Sequence, residues 1–402
     1  MGVLMGRFRS LIAVAVVGLA LVAGSLVALP ARPAEAALPA WASELETLFG
    51  TKAISVAVAD GGRYLYRHGS SVQRIPASVE KLLLSMPLLT ALGPSARIPT
   101  DALGELSGVG VISGNLWVRG RGDPTTGGGQ MLTLAKRLVA RGVTKVSGSI
   151  LGDTSTFSRD WWATGWKENF PRDEVAMPTA LTFKRNRTTT GPITDPEVRA
   201  AASLTTALES LGVEVVGAPG SGRAPRDVPI IASVQSRSLE AVLGTVLANS
   251  DNFGAEVLGK MLAYVSGIRP ATIVAGAGVA VDYAAERDVP VVAYDSSGLS
   301  SSNRVTAAGL VLLLGLAEQE DWGEAFIGML PAGGEGTLLN RFADIDVHAK
   351  TGTISGVSTL AGWVWSESRQ SWIEFAILSQ NVAKDTAIRI EDQIVRTIAG
   401  SA

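Results

Sequence analysis

Ser78-Val79-Glu80-Lys81 opens a stretch in which Leu82 to Leu92 is apolar at nearly every position, with Pro76 before it and Gly93-Pro94 closing it. The pattern predicts a helix that begins at Ser78 and is buried on most sides. Ser78 and Lys81 stand three residues apart on one helical face, about 5–6 Å between β-carbons, so the amine can reach the hydroxyl. Burial and the positive end of the helix dipole both lower the pKa of a lysine placed there and favour the neutral amine, which is a base. S-x-x-K alone is expected about once by chance in such a chain. By itself it equally describes a capping serine beside a snorkelling lysine.

Two later motifs, in fixed order, change that reading. Ser250-Asp251-Asn252 and Lys350-Thr351-Gly352 are each expected well under once by chance. A helix predicted over 239–247 and another from near Phe253 put 250–252 in the break between them, where side chains point into a cleft from a fixed loop. There Ser250 suits passing a proton from Lys81 toward a leaving amine. Asn252 suits donating to a substrate amide carbonyl and holding Lys81, while Asp251 suits capping the following helix. Lys350 closes a strand-like run from Val347. On a regular strand Lys350 and Gly352 face one way and Thr351 and Thr353 the other, with Gly352 leaving room for substrate backbone. Lys350, with the Thr351 and Thr353 hydroxyls, then fits a substrate carboxylate, and the backbone N–H groups of Ser78 and Thr353 form an oxyanion hole. The combination describes serine acyl transfer with a lysine as base.

Composition narrows the setting. The 402 residues are 47% hydrophobic and 18% charged, too apolar for disorder and long enough for two structural units. Arg7 and Arg9, the apolar run 11–29 and Ala34-Glu35-Ala36 read as an export signal over residues 1–36. The apolar run is also just long enough to anchor in a bilayer if uncleaved. Without residues 1–36 the chain carries 32 basic and 36 acidic residues, so it has no electrostatic footprint for nucleic acid. There is no cysteine, and His68 and His348 sit in no metal-binding pattern, so neither a metal nor a cofactor is expected. Two histidines also leave little scope for a Ser-His-Asp triad.

Ile54, Val56 and Val58 alternate as a strand, Asp60-Gly61-Gly62 turns it, and Tyr64 to Arg67 runs back. Leu360–Trp365 and Trp372–Ser379 form a second hairpin. A terminal helix from Asp385 places Ile388, Ile394, Val395 and Ile398 on one face. Both ends therefore belong to one antiparallel sheet covered by helices. Between them, 96–235 reads as an inserted, β-rich domain of short strands and turns with helical stretches at 132–141 and 200–211. The catalytic domain is then 37–95 and 236–402. Trp161, Trp162 and Trp166 fit either a substrate groove or packing under a loop.

Beyond the three motifs, Pro76-Ala77-Ser78, Gly122-Asp123-Pro124, Asp295-Ser296-Ser297-Gly298-Leu299-Ser300, Asn303-Arg304-Val305-Thr306, Gly336-Thr337-Leu338 and His348-Ala349-Lys350-Thr351-Gly352-Thr353 are similar to one family. They resemble the D-alanyl-D-alanine carboxypeptidase/endopeptidase branch of the low-molecular-mass penicillin-binding proteins, over most of residues 40–400. The resemblance implies an α/β (α+β) chain with a serine β-lactamase/transpeptidase-like fold, Ser78 as acylated nucleophile and Lys81 as its base. It further implies Ser250 and Asn252 as the second element, with Lys350, Thr351 and Thr353 binding the carboxylate. Implied substrates are peptidoglycan stem peptides, implied covalent inhibitors are β-lactams, and the implied location is extracytoplasmic, in the cell envelope. The short Lys81-to-Ser250 spacing implies a third domain that is reduced or absent.

Two other readings share these residues. A serine β-lactamase of class A needs an E-x-x-L-N loop, and none is present: Glu335 to Asn340 has the wrong spacing. A binding or sensing module of the same fold would not need Ser78, Lys81, Ser250 and Lys350 intact.

Overall fold

The two ends of the chain meet in one antiparallel sheet. A computed structural model describes residues 40–401, which fall in one compact unit; the export segment expected over 1–36 lies outside the described residues. The five strands run in the order Val347–Ile354, Val357–Ser366, Ser371–Gln380, Ile54–Asp60, Arg63–His68, each antiparallel to its neighbour. Gly61 and Gly62 turn the last pair with φ of 58° and 81°, left-handed values that glycine adopts without a β-carbon clash. Val347–Ile354, which carries Lys350, is an edge strand, leaving its far side open to a cleft.

Both faces of the sheet are covered. Ile54, Val56, Val58, Phe375 and Ile377 point into one core shared with the helices Ala40–Phe49 and Lys384–Ser401. Ala57, Ala59, Ala376, Leu378 and Trp363 point into the other, packed by the helices Glu80–Leu92, Leu239–Ala248, Asn252–Val265 and Ala307–Glu318. Period-2 alternation on a sheet buried on both sides accounts for strands that read as almost continuously apolar. In the terminal helix Ile394, Val395 and Ile398 are buried as expected. Ile390 is buried too, while Ile388 is only half-buried, because the inward stripe begins at Ala387 and proceeds by three and four.

The chain leaves this body through the strand Arg97–Leu103 and returns through Ile230–Ser238, which pair antiparallel with Arg97 opposite Ser238. Ser238 then caps the next helix, its side chain accepting from Ala241 N–H. Between the two come three more strands that complete a mixed five-stranded sheet with them, a small parallel sheet and the helices Gly128–Ala140 and Pro196–Ser210 around their own apolar cluster. Its strands include parallel pairs such as Leu116–Gly120 with Ile150–Asp153, so the segment is more layered α/β than meander.

One stretch departs from that lobe. Residues 161–175 run back over the main body, where Ala163, Trp166 and Val175 pack with Ile273 and Leu299. Trp166 is buried there, Trp161 donates its Nε1–H to Val175 O at 2.7 Å, and Trp162 is half-exposed. Packing under a loop thus describes Trp161 and Trp166.

Candidate active site

Ser78 lies in the short 3₁₀ turn Ala77–Val79, and the α-helix proper starts one residue later at Glu80. Ala77 holds φ of 47°, a left-handed value that costs a residue with a β-carbon about 1 kcal/mol or more, and this turn presents Ser78 to the cleft. Lys81 is fully buried one turn in. Its Nζ donates to Ser78 Oγ at 3.0 Å, to Asn252 Oδ1 at 2.9 Å and to Ser297 O at 2.6 Å. Three donors therefore have three acceptors. Burial lowers its pKa to about 8, against the opposing pull of Asp295, Asp251, Glu256 and Glu80.

Ser250 also sits at a left-handed φ, 51°, between the helices Leu239–Ala248 and Asn252–Val265. Asp251 caps the second helix, accepting from Gly254 N–H at 3.0 Å, as its type and position predict. Asp251 is also gripped by the guanidinium of Arg185, whose Nη2 donates to Oδ1 at 2.6 Å. Lys350, fully buried, reaches across from the edge strand: its Nζ donates to Ser250 Oγ at 3.0 Å and to Thr351 O at 2.7 Å. Burial first and the Lys81 charge second hold the Lys350 amine well below the ordinary lysine range. The sequence reading joined Ser250 to Lys81. The structure gives Ser250 Oγ a hydrogen bond from Lys350 Nζ.

The strand Val347–Ile354 runs regularly against Val357–Ser366 without a bulge. Thr351 and Thr353 face the cleft, and Thr351 Oγ1 donates to Thr337 Oγ1 at 2.8 Å. Gly352 is buried. A β-carbon there would meet Thr359 Oγ1, Pro76 O at 2.9 Å and Ser78 N at 2.9 Å. The space expected for substrate backbone is thus filled by the nucleophile turn, and glycine at 352 lets the strand lie directly against it. That contact brings the backbone of residues 352–353 beside Ser78 N.

The cleft measures about 450 Å³ and is lined by Ser78, Ser250, Asn252, Thr337, Thr351 and Thr353 together with Lys167, Phe170 and Glu174. Glu174 Oε2 accepts from Asn252 Nδ2 at 3.1 Å. Of the eight residues singled out from sequence, Ser78, Ser250, Asn252, Thr351 and Thr353 line this cleft, while Lys81, Lys350 and Gly352 lie buried behind it against Ser78 and Ser250. Glu174 and Arg185 were not legible in advance, since no motif marks them.

The chain matches the D-Ala-D-Ala carboxypeptidase 3 (S13) family over residues 35–191 and 184–400. It belongs to that family. Among curated relatives, the D-alanyl-D-alanine carboxypeptidase of Actinomadura sp. (strain R39) is 28% identical over 84% of this chain and 79% of its own. Carboxypeptidase DacB of Mycolicibacterium smegmatis is 30% identical over 80% and 75% respectively. Of solved structures, penicillin binding protein 4 (dacB) from Haemophilus influenzae superposes with a TM-score of 0.77 at 20% identity, covering 89% of this chain and 99% of that one. It has also been solved complexed with a β-lactam. The penicillin-binding branch that the motifs resemble is thus the family to which this chain belongs, and the fold is shared across the whole neighbouring structure.

Proposed function

We propose that the protein is a serine D-Ala-D-Ala carboxypeptidase/endopeptidase that acts on peptidoglycan stem peptides through an ester at Ser78 and is inhibited by β-lactams. The observation that carries this is the Lys81 amine, 3.0 Å from Ser78 Oγ, fully buried, and with its pKa lowered to about 8. A neutral amine at that distance takes the Ser78 proton as Oγ attacks the scissile carbonyl. The oxyanion accepts from Ser78 N–H and Thr353 N–H, groups that Gly352 allows to approach each other. As the tetrahedral species collapses, the D-alanine amine leaves with the proton that Lys81 took from Ser78, Ser250 Oγ in the cleft wall relaying it and ending with its own proton restored, and Lys81 is again neutral. Lys350 holds that hydroxyl, and an arriving substrate carboxylate, an opposite charge beside it, favours its protonated form and so pairs with it, with Thr351 and Thr353 as further donors. Water then cleaves the ester and restores Ser78.

On this reading residues 1–36 direct export to the cell envelope, and 96–235 form an inserted domain between the first two motifs. No described helix is long and apolar enough to cross a membrane. Digestion of purified wall fragments, with products identified by mass, tests the activity: release of D-alanine or of cleaved cross-links is expected, and neither from Ser78→Ala.

One observation favours a second reading. Glu174 places a carboxylate on the cleft wall against Asn252, where a β-lactamase would require a base for ester hydrolysis. Sustained β-lactam turnover distinguishes that reading from this one.

A further inference from the structure

Behind Lys81 lie three carboxyl groups that the reaction as described does not use: Glu80, Glu256 and Asp295 are all buried. They differ in how they are satisfied. Asp295 accepts from Trp166 Nε1–H at 2.6 Å, Ser300 N–H at 2.8 Å, Asn303 Nδ2 at 2.8 Å, Gly298 N–H at 3.0 Å and Ser297 Oγ at 3.2 Å. Five donors converge on two oxygens, a surrounding built for a carboxylate. Glu256 accepts at Oε1 only, from Ser297 N–H at 2.7 Å and Ser296 N–H at 3.0 Å, while its Oε2 and Glu80 Oε2 are buried without a partner. Burial first and the Asp295 charge second raise Glu256 to about 8 and Glu80 well above the ordinary range. Both glutamates are thereby pushed toward the protonated form, and Asp295 is the carboxylate whose charge acts most on Lys81.

The same turn touches the base directly. Ser297 O accepts from Lys81 Nζ at 2.6 Å, the shortest of that amine's three bonds. The N–H of the same peptide unit, on Gly298, points to Asp295 Oδ1. The peptide is thus bracketed by the amine at one end and the carboxylate at the other, an arrangement in which each hydrogen bond polarises the other. Gly298, at φ of 81°, is pressed against the backbone of Ala77, so the turn also abuts the residue that precedes the nucleophile.

We propose that Asp295 is a positioning residue for Lys81: through the Ser297–Gly298 peptide it fixes the carbonyl that holds the amine, and its charge sets how readily the amine releases its proton. The inference rests on Lys81 being the base of the proposed hydrolase. Other charges facing Lys81 are Asp251, paired with Arg185, and Lys350; Asp295→Asn alters neither.

The test follows the rate of Ser78 acylation by benzylpenicillin against pH, read by intact mass, on the full chain. In Asp295→Asn the lost negative charge favours the neutral amine, so the acidic limb moves down by about one pH unit while the plateau falls at least about tenfold. Trp166→Phe removes one donor from Asp295 and frees its charge to act on Lys81. The limb then moves the other way, up by about half a unit. A purely structural role would lower rates without moving either limb. Should Asp295→Asn not fold, a limb in Trp166→Phe that stays in place or moves down overturns the proposal on its own. No acylation of Ser78 in the unaltered chain would overturn the hydrolase reading and this inference with it; acylation with unmoved limbs overturns the inference alone.

Discussion

Lys350 Nζ donates to Ser250 Oγ at 3.0 Å, so the second and third motifs form one hydrogen-bonded pair. Residues in one network lose function as a unit. Ser250→Ala and Lys350→Ala should each lower the cleavage of D-Ala-D-Ala peptides at least about a hundredfold, and the double variant should lose little more than the worse single one. Losses that multiply would show the two acting separately.

Lys350 also serves the substrate carboxylate, and that role has its own signature. Lys350→Ala should weaken action on peptides ending in free D-alanine more than on the corresponding amides, because a charge-assisted bond is lost only with the former. Equal loss on both would assign Lys350 to proton transfer alone.

Lys81→Arg retains charge but removes the base, since a guanidinium stays protonated near neutral pH. Acylation of Ser78 should fall at least about a thousandfold. In the unaltered chain acylation should rise with pH toward a plateau above about 8, as the buried amine loses its proton. A rate within tenfold of wild type in Lys81→Arg would move the base elsewhere, with Lys350 the first candidate.

A second buried carboxyl gives a stability prediction far from the reaction. Glu374, on the strand Ser371–Gln380, is buried and faces the carboxyl groups of Glu318 and Asp60, and burial first and those neighbours next raise its pKa from 4.5 to about 7. Between those values the folded chain holds a proton that the unfolded chain releases, so this group's contribution to stability falls as pH rises. Glu374→Gln should flatten that dependence and raise Tm at pH 8 by about 2 °C or more. An unchanged difference in Tm between pH 5 and pH 8 would exclude Glu374 as its source.

Much of this site was legible because its decisive spacings are local. Ser78 and Lys81 are three residues apart, and the Gly61-Gly62 turn with its alternating flanks marks the sheet by short-range pattern alone. What was hidden depends on contacts across the chain. Glu174 meets Asn252 across 78 residues, Arg185 meets Asp251 across 66 and Trp166 meets Asp295 across 129. No periodicity encodes such pairings, because they join residues 161–186 to segments far along the chain. Gly352 was legible as a glycine, but its packing against the turn of residues 76–78 was not, since that contact joins segments far apart in the chain.

The fate of the penicilloyl ester decides between the two readings of the cleft. In both, Ser78 is acylated, and Ser78→Ala should remove the label found by intact mass and peptide mapping. A departing D-alanine vacates the site for water, whereas an opened β-lactam stays tethered and blocks water's approach. The ester should therefore persist while peptide substrates turn over. Glu174 is the carboxylate that could shorten its life, yet it is exposed at the cleft wall and already engaged with Asn252. Mixing the protein with a chromogenic cephalosporin should give a burst of about one equivalent and then little turnover, and Glu174→Gln should change the slow phase less than about threefold. Sustained hydrolysis of the cephalosporin that collapses in Glu174→Gln, beside an inert D-Ala-D-Ala peptide, would make the protein a β-lactamase with Glu174 as its deacylating base.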